Sequence, residues 1–428
     1  MTTPNVLDEL EWRGLVAHST DRDALRAALG DGSVKFYVGF DPTAPSLHMG
    51  NLVQLVTARR LQDAGHTPFI LVGGATGMIG DPRDSGERTL NSLDTVKEWT
   101  ERVRQQVSRF VLFEGDNAAT TVNNYDWTAS LSTIDFLRDI GKHFPVNRML
   151  ARDTVKRRLE SGISYTEFSY VLLQSMDFLN LFREHGVVMQ FGGSDQWGNI
   201  TGGAELVRRV EGAHAYGFAT PLITKTDGTK YGKTEGGALW LDPEMLSPYA
   251  FHQFWLNVED EKVGELLRIF TFLTREEIED LEQQTAEKPF LRAGQKRLAD
   301  EVTALVHGAE EVEHAKAAAA ALFGGGDLHA IKPDTLASAL RDAGGTTLPA
   351  GELPGILDLL VAAGLAKSKG EARRTVSEGG AYLNNVRVED HEMQPTEADL
   401  VAGSWLVLRR GKKNFAGVEI APSVTAGL

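Results

Sequence analysis

The segment SLHMGN, residues 46–51, places an imidazole and a carboxamide close together in the chain. His48 and Asn51 are three positions apart, and both side chains can donate hydrogen bonds from nitrogen. An alternating apolar stretch precedes the segment and a helical pattern follows it. It therefore lies where a strand turns into a helix, which is where α/β proteins bind nucleotides.

The segment KYGKT, residues 230–234, carries two lysines in a loop that contains glycine. Lys230 and Lys233 are flexible point charges that can close over an anion and release it. A P-loop is the alternative, but it needs glycine five residues before Gly232, where this chain has Asp227. GKT by itself is also compatible with a solvated hairpin tip that has no function.

The stretch 166–184 is apolar nearly all round, which predicts a buried helix. It carries a polar stripe, because Tyr170, Gln174 and Asp177 are spaced i, i+4 and i+7 and share one face. Buried polar groups need partners, so the three could surround a small polar ligand. They could equally satisfy one another or the backbone, and the helix alone does not decide between these alternatives.

A glycine-rich run, GGATGMIGD at 73–81, does not have the G-x-G-x-x-G spacing of a dinucleotide site. A nicotinamide dehydrogenase therefore loses its main support. The glycines still indicate a tight turn or a close approach of backbone to a ligand. Asp81 at the end of the run could bind a cationic amine or cap the next segment.

The elements that must position these residues form a βαβ unit. Alternation over 33–40 predicts a strand, 52–65 a helix ended by glycine, and 68–75 a buried strand. A further strand is expected within 186–197, before a glycine turn. The fold class predicted is α/β, with an open, doubly wound, mostly parallel sheet whose strand ends line a ligand crevice.

The rest of the chain divides by composition. Residues from about 245 to 322 are helical and charged, and the Gly/Pro/Thr-rich stretch that follows, up to Pro354, has the composition of a linker. Beyond it, helices followed by short strands predict a small α+β unit.

Length and charge limit the possible functions. The chain has 428 residues, of which 42% are hydrophobic, so two or three domains are expected. A net charge of −15 argues against a protein that coats nucleic acid with its whole surface, and we expect no DNA partner. The absence of cysteine, of an apolar leader and of a membrane-length apolar run predicts a cytoplasmic protein with no membrane partner.

Six motifs follow one another in the order seen in bacterial tyrosyl-tRNA synthetases, which are class I aminoacyl-tRNA synthetases. They are GFDPTAPSLHMGN, GGATGMIGDP, NNYDW, YVLLQSMD, FGGSDQWGN and KYGKT. The resemblance covers almost the whole chain. It implies that L-tyrosine reacts with ATP to give tyrosyl-adenylate and pyrophosphate, and that tyrosine then passes to the 3′-terminal ribose of tRNA(Tyr). It also implies a homodimer and Mg²⁺ that enters with ATP, without dedicated protein ligands.

The resemblance assigns roles to individual residues. Tyr37 and Asp177 would bind the phenol hydroxyl of tyrosine, Asp81, Tyr170 and Gln174 its ammonium, and Gln196 would lie near its carboxylate. The ATP site would contain Gly39, Asp41, Thr43, His48, Asn51, Gly193, Asp195, Lys230 and Lys233. The catalytic group would consist of Thr43, His48, Asn51, Lys230, Lys233 and Thr234.

The C-terminal unit resembles the small RNA-binding domain that ends these enzymes. Its candidate tRNA contacts are Arg373, Arg374, Arg409, Arg410, Lys412 and Lys413, and a solvated basic face is the alternative for each. The predicted domains are a Rossmann-like catalytic domain at 1–225, the KYGKT loop with a helical domain at 226–325, a linker at 326–353 and the RNA-binding domain at 354–420.

Two departures from the family pattern matter. The signature that usually reads His-x-Gly-His ends here in Asn51, which can still donate to the nucleotide sugar. In the segment PRDSGER, Arg83 and Arg88 stand where many relatives have a lysine-richer loop over pyrophosphate.

The alternative functions are a tryptophanyl-tRNA synthetase and a non-catalytic RNA-binding relative. Tyr37 with Asp177 argues against the first, and the intact His48, Lys230, Lys233 and Asp195 argue against the second.

Overall fold

A computed structural model describes residues 5–82, 86, 90–229, 231–234, 237–324, 326–351, 353–411 and 414–421. The chain forms two compact units. The first consists of Met1–Met245 with Glu259–Gly294, and the second of Leu246–Val258 with Gln295–Leu428.

The first unit is built on a six-stranded sheet with the order β1-β6-β5-β2-β3-β4 and a separate two-stranded hairpin, β7-β8. The strands are β1 (His18–Ser19), β2 (Lys35–Phe40), β3 (Thr67–Val72), β4 (Thr120–Asn123), β5 (Met189–Gly193), β6 (Tyr216–Thr220), β7 (Lys233–Thr234) and β8 (Gly237–Ala238). Within the six-stranded sheet, the five strands β2 to β6 run parallel, and β1 is antiparallel to β6. The predicted α/β class with its mostly parallel sheet is confirmed.

The strand order reverses between β2 and β5. On one side of β2 the sheet continues with β3 and β4, and on its other side with β5 and β6. A crevice therefore opens at the carboxyl ends of β2 and β5. The predicted polar residues of β2 and of the turn after β5 meet at this point.

Helices cover the sheet and connect its strands. In the first unit they are α1 (Val6–Trp12), α2 (Arg22–Gly30), α3 (Met49–Asp63), α4 (Thr76–Ile79), α5 (Leu93–Val107), α6 (Tyr125–Thr128), α7 (Thr133–Asp135), α8 (Val146–Leu150), α9 (Asp153–Arg158), α10 (Tyr165–His185) and α11 (Trp197–Glu211). The helix predicted at 166–184 is confirmed as α10, which begins with Ser164 as its N-cap and ends at Gly186 in the left-handed region. No helix in the described ranges is long and apolar enough to cross a membrane.

The remaining helices are divided between the two units. They are α12 (Pro248–Leu256), α13 (Asp260–Phe270), α14 (Arg275–Glu287), α15 (Ala293–His307), α16 (Ala309–Gly324), α17 (Pro333–Asp342), α18 (Ile356–Ala362) and α19 (Lys369–Ser377). The predicted domain boundary at 225/226 differs from the compact units, because α13 and α14 belong to the first unit.

Two buried arginines explain why α13 belongs to the first unit. Arg13 donates from Nη1 to the carbonyl of Thr271 at 3.0 Å and from Nη2 to that of Leu273 at 2.8 Å. Arg60 also donates to the Thr271 carbonyl. Guanidinium groups thus satisfy carbonyls at the C-terminal end of α13 that the helix itself leaves open.

The second unit contains a five-stranded sheet with the order β11-β10-β12-β13-β9. Its strands are β9 (Thr346–Leu348), β10 (Ala381–Leu383), β11 (Val386–Arg387), β12 (Trp405–Arg410) and β13 (Asn414–Ile420).

The linker predicted at 326–353 is wrong for much of its length. This stretch contains α17, whose Leu336 and Leu340 are fully buried, and β9, which pairs in parallel with β13. Its Gly and Pro residues lie at the helix start and in the connecting turns, so composition alone did not distinguish them from a flexible segment.

A buried ion pair holds α9 against α10. Arg158 lies 3.0 Å from Glu167, and both side chains are almost completely buried. We predict that Arg158→Met lowers the free energy of unfolding by about 3–5 kcal/mol, because it leaves a buried carboxylate without its cation.

The matched control is Arg158→Met with Glu167→Leu, which removes both charges and should lose much less stability. Thermal unfolding of the three proteins measures the difference. Equal losses in the single and double variants would contradict the role given to the pair.

Candidate active site

A cavity of about 1390 Å³ opens at the carboxyl ends of β2 and β5. Every residue predicted to bind tyrosine lines this cavity. The residues predicted for the ATP site also line it, apart from Lys230 and Lys233, whose side chains lie outside the described residues. These residues are Tyr37, Gly39, Asp41, Thr43, His48, Asn51, Asp81, Tyr170, Gln174, Asp177, Gly193, Asp195 and Gln196. Lys230, Arg83 and Arg88, together with the side chains of Lys233 and Thr234, lie outside the described residues.

A phenol and a carboxylate lie together at the buried end of the cavity. The hydroxyl of Tyr37 is buried and has no hydrogen-bond partner among the described residues. Burial, and after it the charge of Asp177, raise the pKa of Tyr37 well above its usual value of 10. An unpartnered buried hydroxyl is costly, and a ligand that brings a matching polar group would remove that cost.

Asp177 is held by two donors that sequence reasoning did not assign. Nδ2 of Asn124 and Nε1 of Trp127 each donate to one of its carboxylate oxygens at 2.9 Å. Burial raises the pKa of Asp177 to about 7, although both hydrogen bonds lower it, and the charge of Asp41 raises it further. The segment NNYDW was the sequence signal for these donors.

Asp41 links α10 to the short helix α4. It accepts from the Tyr170 hydroxyl at 2.7 Å and from Oγ1 of Thr76 at 2.6 Å. A Cβ at Gly73 would overlap the side chains of both Asp41 and Thr76. The close approach implied by the glycine-rich run is therefore made by side chains of the protein itself.

Asp81 accepts hydrogen bonds from two side-chain amides. Nε2 of Gln196 donates to it at 2.8 Å and Nδ2 of Asn199 at 3.3 Å. Burial raises the pKa of Asp81 to about 6. The two amides and the cation of Arg152 lower it, while the charge of Asp41 raises it.

The polar stripe of α10 does not satisfy itself. Tyr170 donates to Asp41, and Asp177 accepts from the segment 124–127, so neither bonds within the stripe. Oε1 of Gln174 is buried without a partner in the described chain. The alternative in which the stripe residues pair with one another is thus wrong.

The SLHMGN segment begins α3 with a capping box. Nδ1 of His48 accepts from the Gly50 amide at 3.0 Å, and Oδ1 of Asn51 accepts from the His48 amide at 3.0 Å. The Asn51 oxygen is thereby engaged, so its NH₂ group is the part that can donate to a ligand. The exposed His48 imidazole keeps Nε2 on its other side.

Backbone bonds join this segment to the loop of KYGKT. Leu239 donates to the Gly232 carbonyl at 2.8 Å, and its own carbonyl accepts from the Met49 amide at 2.9 Å. A Cβ at Gly232 would lie 3.0 Å from Sδ of Met49. The two segments that sequence reasoning singled out are therefore adjacent.

The candidate tRNA contacts belong to the second unit and not to the cavity. Arg373 and Arg374 are exposed on α19, and Arg409 stacks on Tyr382 at 4.4 Å. Arg410 instead pairs with Glu371 at 2.8 Å and donates to the Leu365 carbonyl, which gives it a structural function. Lys412 and Lys413 lie outside the described residues.

The cavity suits a ligand that carries a hydroxyl, a cation and an anion at different points along its length. A hydroxyl or similar group would meet Tyr37 and Asp177, and a cation would be stabilised by the carboxylates of Asp81 and Asp41. An extended anion would reach the start of α3, where backbone amides and the helix dipole favour negative charge.

Comparison with known proteins identifies relatives over the whole length of the chain. A family model described as tRNA synthetases class I (W and Y) matches residues 30–324, and one described as the tyrosine–tRNA ligase SYY-like C-terminal domain matches residues 336–418. The tyrosine–tRNA ligase of Streptomyces griseus is 60% identical over 421 residues, 98% of this chain and 99% of that protein. The tyrosine–tRNA ligase of Corynebacterium glutamicum is 57% identical over 418 residues, 97% of this chain and 99% of that protein.

Solved structures show the same relationship. A C-terminally truncated mitochondrial tyrosyl-tRNA synthetase of Aspergillus nidulans superposes with a TM-score of 0.67 at 30% identity, over 75% of this chain and 95% of that one. A tryptophanyl-tRNA synthetase of Encephalitozoon cuniculi reaches a TM-score of 0.53 at 10% identity, over 77% of this chain and 89% of that one, which shows a shared fold only.

The raised pKa of Asp177 predicts how stability depends on pH. Because its folded-state pKa of about 7 exceeds the ordinary value, the folded protein binds the proton more tightly, and this carboxyl makes stability fall as pH rises. Between about pH 5 and pH 8 the contribution amounts to a loss of roughly 2–3 kcal/mol.

Asp177→Asn should remove that part of the slope. The variant also places one amide donor against another at Asn124, but this cost does not depend on pH and leaves the slope unaffected. Denaturant unfolding of the ligand-free proteins across the range measures it, and parallel curves for the two proteins would contradict the assignment.

Proposed function

The chain belongs to the class I tRNA synthetases that act with tryptophan and tyrosine, and from its cavity we propose which residues bind each substrate. Its activity is that of a tyrosine–tRNA ligase. Tyrosine, ATP and tRNA are its substrates. Tyrosine is first activated to an adenylate and then transferred to tRNA(Tyr).

The pair of Tyr37 and Asp177 carries the proposed specificity for tyrosine. Its support is the buried Tyr37 hydroxyl without a partner, beside a carboxylate fixed by Asn124 and Trp127. The phenol hydroxyl of tyrosine donates to Asp177 and accepts from Tyr37. Phenylalanine leaves the Tyr37 hydroxyl unpaired and offers no donor to Asp177, and the worked value for this rejection, roughly 10⁵-fold, comes from this enzyme family itself.

The substrate ammonium is proposed to lie between Asp81, Tyr170 and Gln174. Asp81 has a pKa of about 6 in the ligand-free site and is ionised at neutral pH, and Gln174 offers an unpartnered carbonyl oxygen. A cation here offsets the repulsion between Asp81 and Asp41. Gln196, which is bonded to Asp81, is proposed to lie beside the reacting carboxylate.

ATP is proposed to lie across the ends of β2 and β5, with its phosphates toward the start of α3. Gly39 and Gly193 let the nucleotide approach the backbone, Asp195 accepts from the ribose, and Asp41 lies at the boundary with the tyrosine site. The contact between Gly232 and the SLHMGN segment supports a shared phosphate site that also includes Lys230, Lys233 and Thr234.

The first step is in-line attack of the tyrosine carboxylate on the α-phosphate. The carboxylate is already ionised at neutral pH, so no general base is needed and catalysis consists of positioning and charge stabilisation. Thr43, His48 and Asn51 supply donors to the phosphates and the ribose. Mg²⁺ is proposed to enter with the triphosphate and neutralise part of its charge, without dedicated protein ligands.

The second unit is proposed to bind tRNA. Arg373 and Arg374 on α19 and Arg409 on β12 present charge suited to phosphate contacts, with Lys412 and Lys413 near the same strand end in sequence. Because Arg410 is engaged with Glu371, we give it the role of holding β12 to α19. A tRNA substrate also supports a cytoplasmic location for this protein, because translation takes place there.

A homodimer is proposed through the first unit. Large apolar side chains are strongly exposed along residues 134–165, including Ile134, Val146 and Tyr165 at 60% or more. Apolar side chains that protrude in this way mark protein interfaces more often than free surface.

We predict that exchange of pyrophosphate into ATP depends on tyrosine. With tryptophan or phenylalanine, the rate at equal concentration should fall by about 10⁴-fold or more, because the buried polar pair is left unsatisfied. Exchange supported best by tryptophan would contradict the assignment, and no exchange with any amino acid would indicate a non-catalytic relative.

Substitutions of Asn51 test the variant signature. Asn51→His should keep activation within about tenfold, since an imidazole Nδ1 can accept the His48 amide while Nε2 donates. Asn51→Gly loses both bonds and should slow activation by about 10²-fold. Single-turnover formation of the adenylate measures both variants, and an inactive Asn51→His would overturn this account.

A further inference from the structure

Arg152 is a half-buried cation of the cavity to which the substrate contacts above give no role. It immediately precedes α9, and its Nη2 donates to Oδ1 of Asn199 at 2.6 Å. Burial lowers its pKa, and the neighbouring charge of Asp81 raises it. The group therefore remains a cation at neutral pH, held between Asn199 and Asp81.

The contact with Arg152 fixes the direction of a hydrogen-bond chain. A guanidinium can only donate, so the Asn199 oxygen must face it and the Asn199 NH₂ must face the other way. That NH₂ donates to Oε1 of Gln196 at 2.9 Å and to Asp81 at 3.3 Å. With its oxygen occupied, Gln196 turns its own NH₂ to Asp81 at 2.8 Å.

The place that Arg152 occupies is unfavourable for a cation. Asn199 is the third residue of α11, and a helix N-terminus carries partial positive charge that favours anions. A Cβ at Gly198 would lie only 2.6 Å from Nη2 of Arg152, so the guanidinium uses space that glycine leaves open. Charges held at a cost beside a ligand cavity are typical of functional sites.

The described groups that face Asp81 from other elements include carboxylates and uncharged donors. Asp41 after β2 faces it, with the Tyr170 hydroxyl bonded to Asp41, and Asp177 lies farther along α10. Asp195 in the turn after β5 shares the Gln196 amide at 3.4 Å. Arg152 is a cation that acts on the Asp81 carboxyl and lowers its pKa.

We propose that Arg152 is a positioning residue for tyrosine activation, which acts through Asn199 to direct the Gln196 amide and to keep Asp81 a carboxylate ready for the substrate ammonium. The inference rests on the proposed role of Asp81. Arg152 would then affect the binding of tyrosine in the activation step, which does not involve tRNA.

The test is pyrophosphate exchange by the full-length protein without tRNA, with KM for tyrosine measured from about pH 5.5 to about pH 8. In the unmodified protein, a plot of log KM against pH should have a limb below the Asp81 pKa of about 6, along which KM increases as the pH falls and approaches a tenfold increase per pH unit. Arg152→Met should move this limb to a pH about one unit higher, so that KM rises about fivefold at pH 6 and less than about twofold at pH 8.

Further variants separate this role from loss of structure. Arg152→Lys keeps the charge with a single donor group and should shift the limb less than Arg152→Met. Asn199→Ala should reproduce most of the shift, and the double variant should add little to it. Lys156→Met removes an exposed cation from the same helix and is the matched control, with no expected shift.

A limb at unchanged pH in Arg152→Met and Asn199→Ala would overturn the inference. So would unchanged exchange combined with a raised KM for tRNA, since Arg152 would then contact tRNA instead. Asp81→Asn should abolish the limb, and if the limb persists there, the proposed role of Asp81 fails. Absence of tyrosine-dependent exchange in the unmodified protein would mean that the proposed function itself fails.

Discussion

The closeness of three partly or fully buried carboxylates around one cavity is the constraint on which the site depends. Asp177 is fully buried, Asp41 and Asp81 are partly buried, and the charge of Asp41 makes ionisation of the other two harder. Each is held by fixed donors from other elements, which offset only part of the cost of removing the charge from water. The remaining cost favours a ligand that brings a cation and a hydroxyl, and tyrosine carries both.

The sheet makes this arrangement possible because its strand order reverses between β2 and β5. Tyr37 and Asp41 come from β2 and the turn after it, Gln196 from the turn after β5, and Asp177 from α10. Residues far apart in the chain thus converge without long loops. Rigid elements hold them, as catalysis by positioning requires.

Periodicity identified the residues that share a single element. The i, i+4, i+7 stripe of α10 and the strands around residue 70 follow from local pattern, and both are present as predicted. The pairings between elements did not follow, because nothing local states that Trp127 donates to Asp177 or that Asn199 links Arg152 to Asp81. The supposed linker failed for the same reason, since β9 becomes a strand only by pairing with β13.

The backbone of Leu239 is bonded on one side to Gly232 and on the other to Met49. The chain between Gly232 and Leu239 can therefore change in composition more easily than in length. An inserted or deleted residue would shift one of its ends out of register with the first turn of α3. Evolutionary variation in this loop is accordingly expected as substitution, while the spacing of its two ends persists.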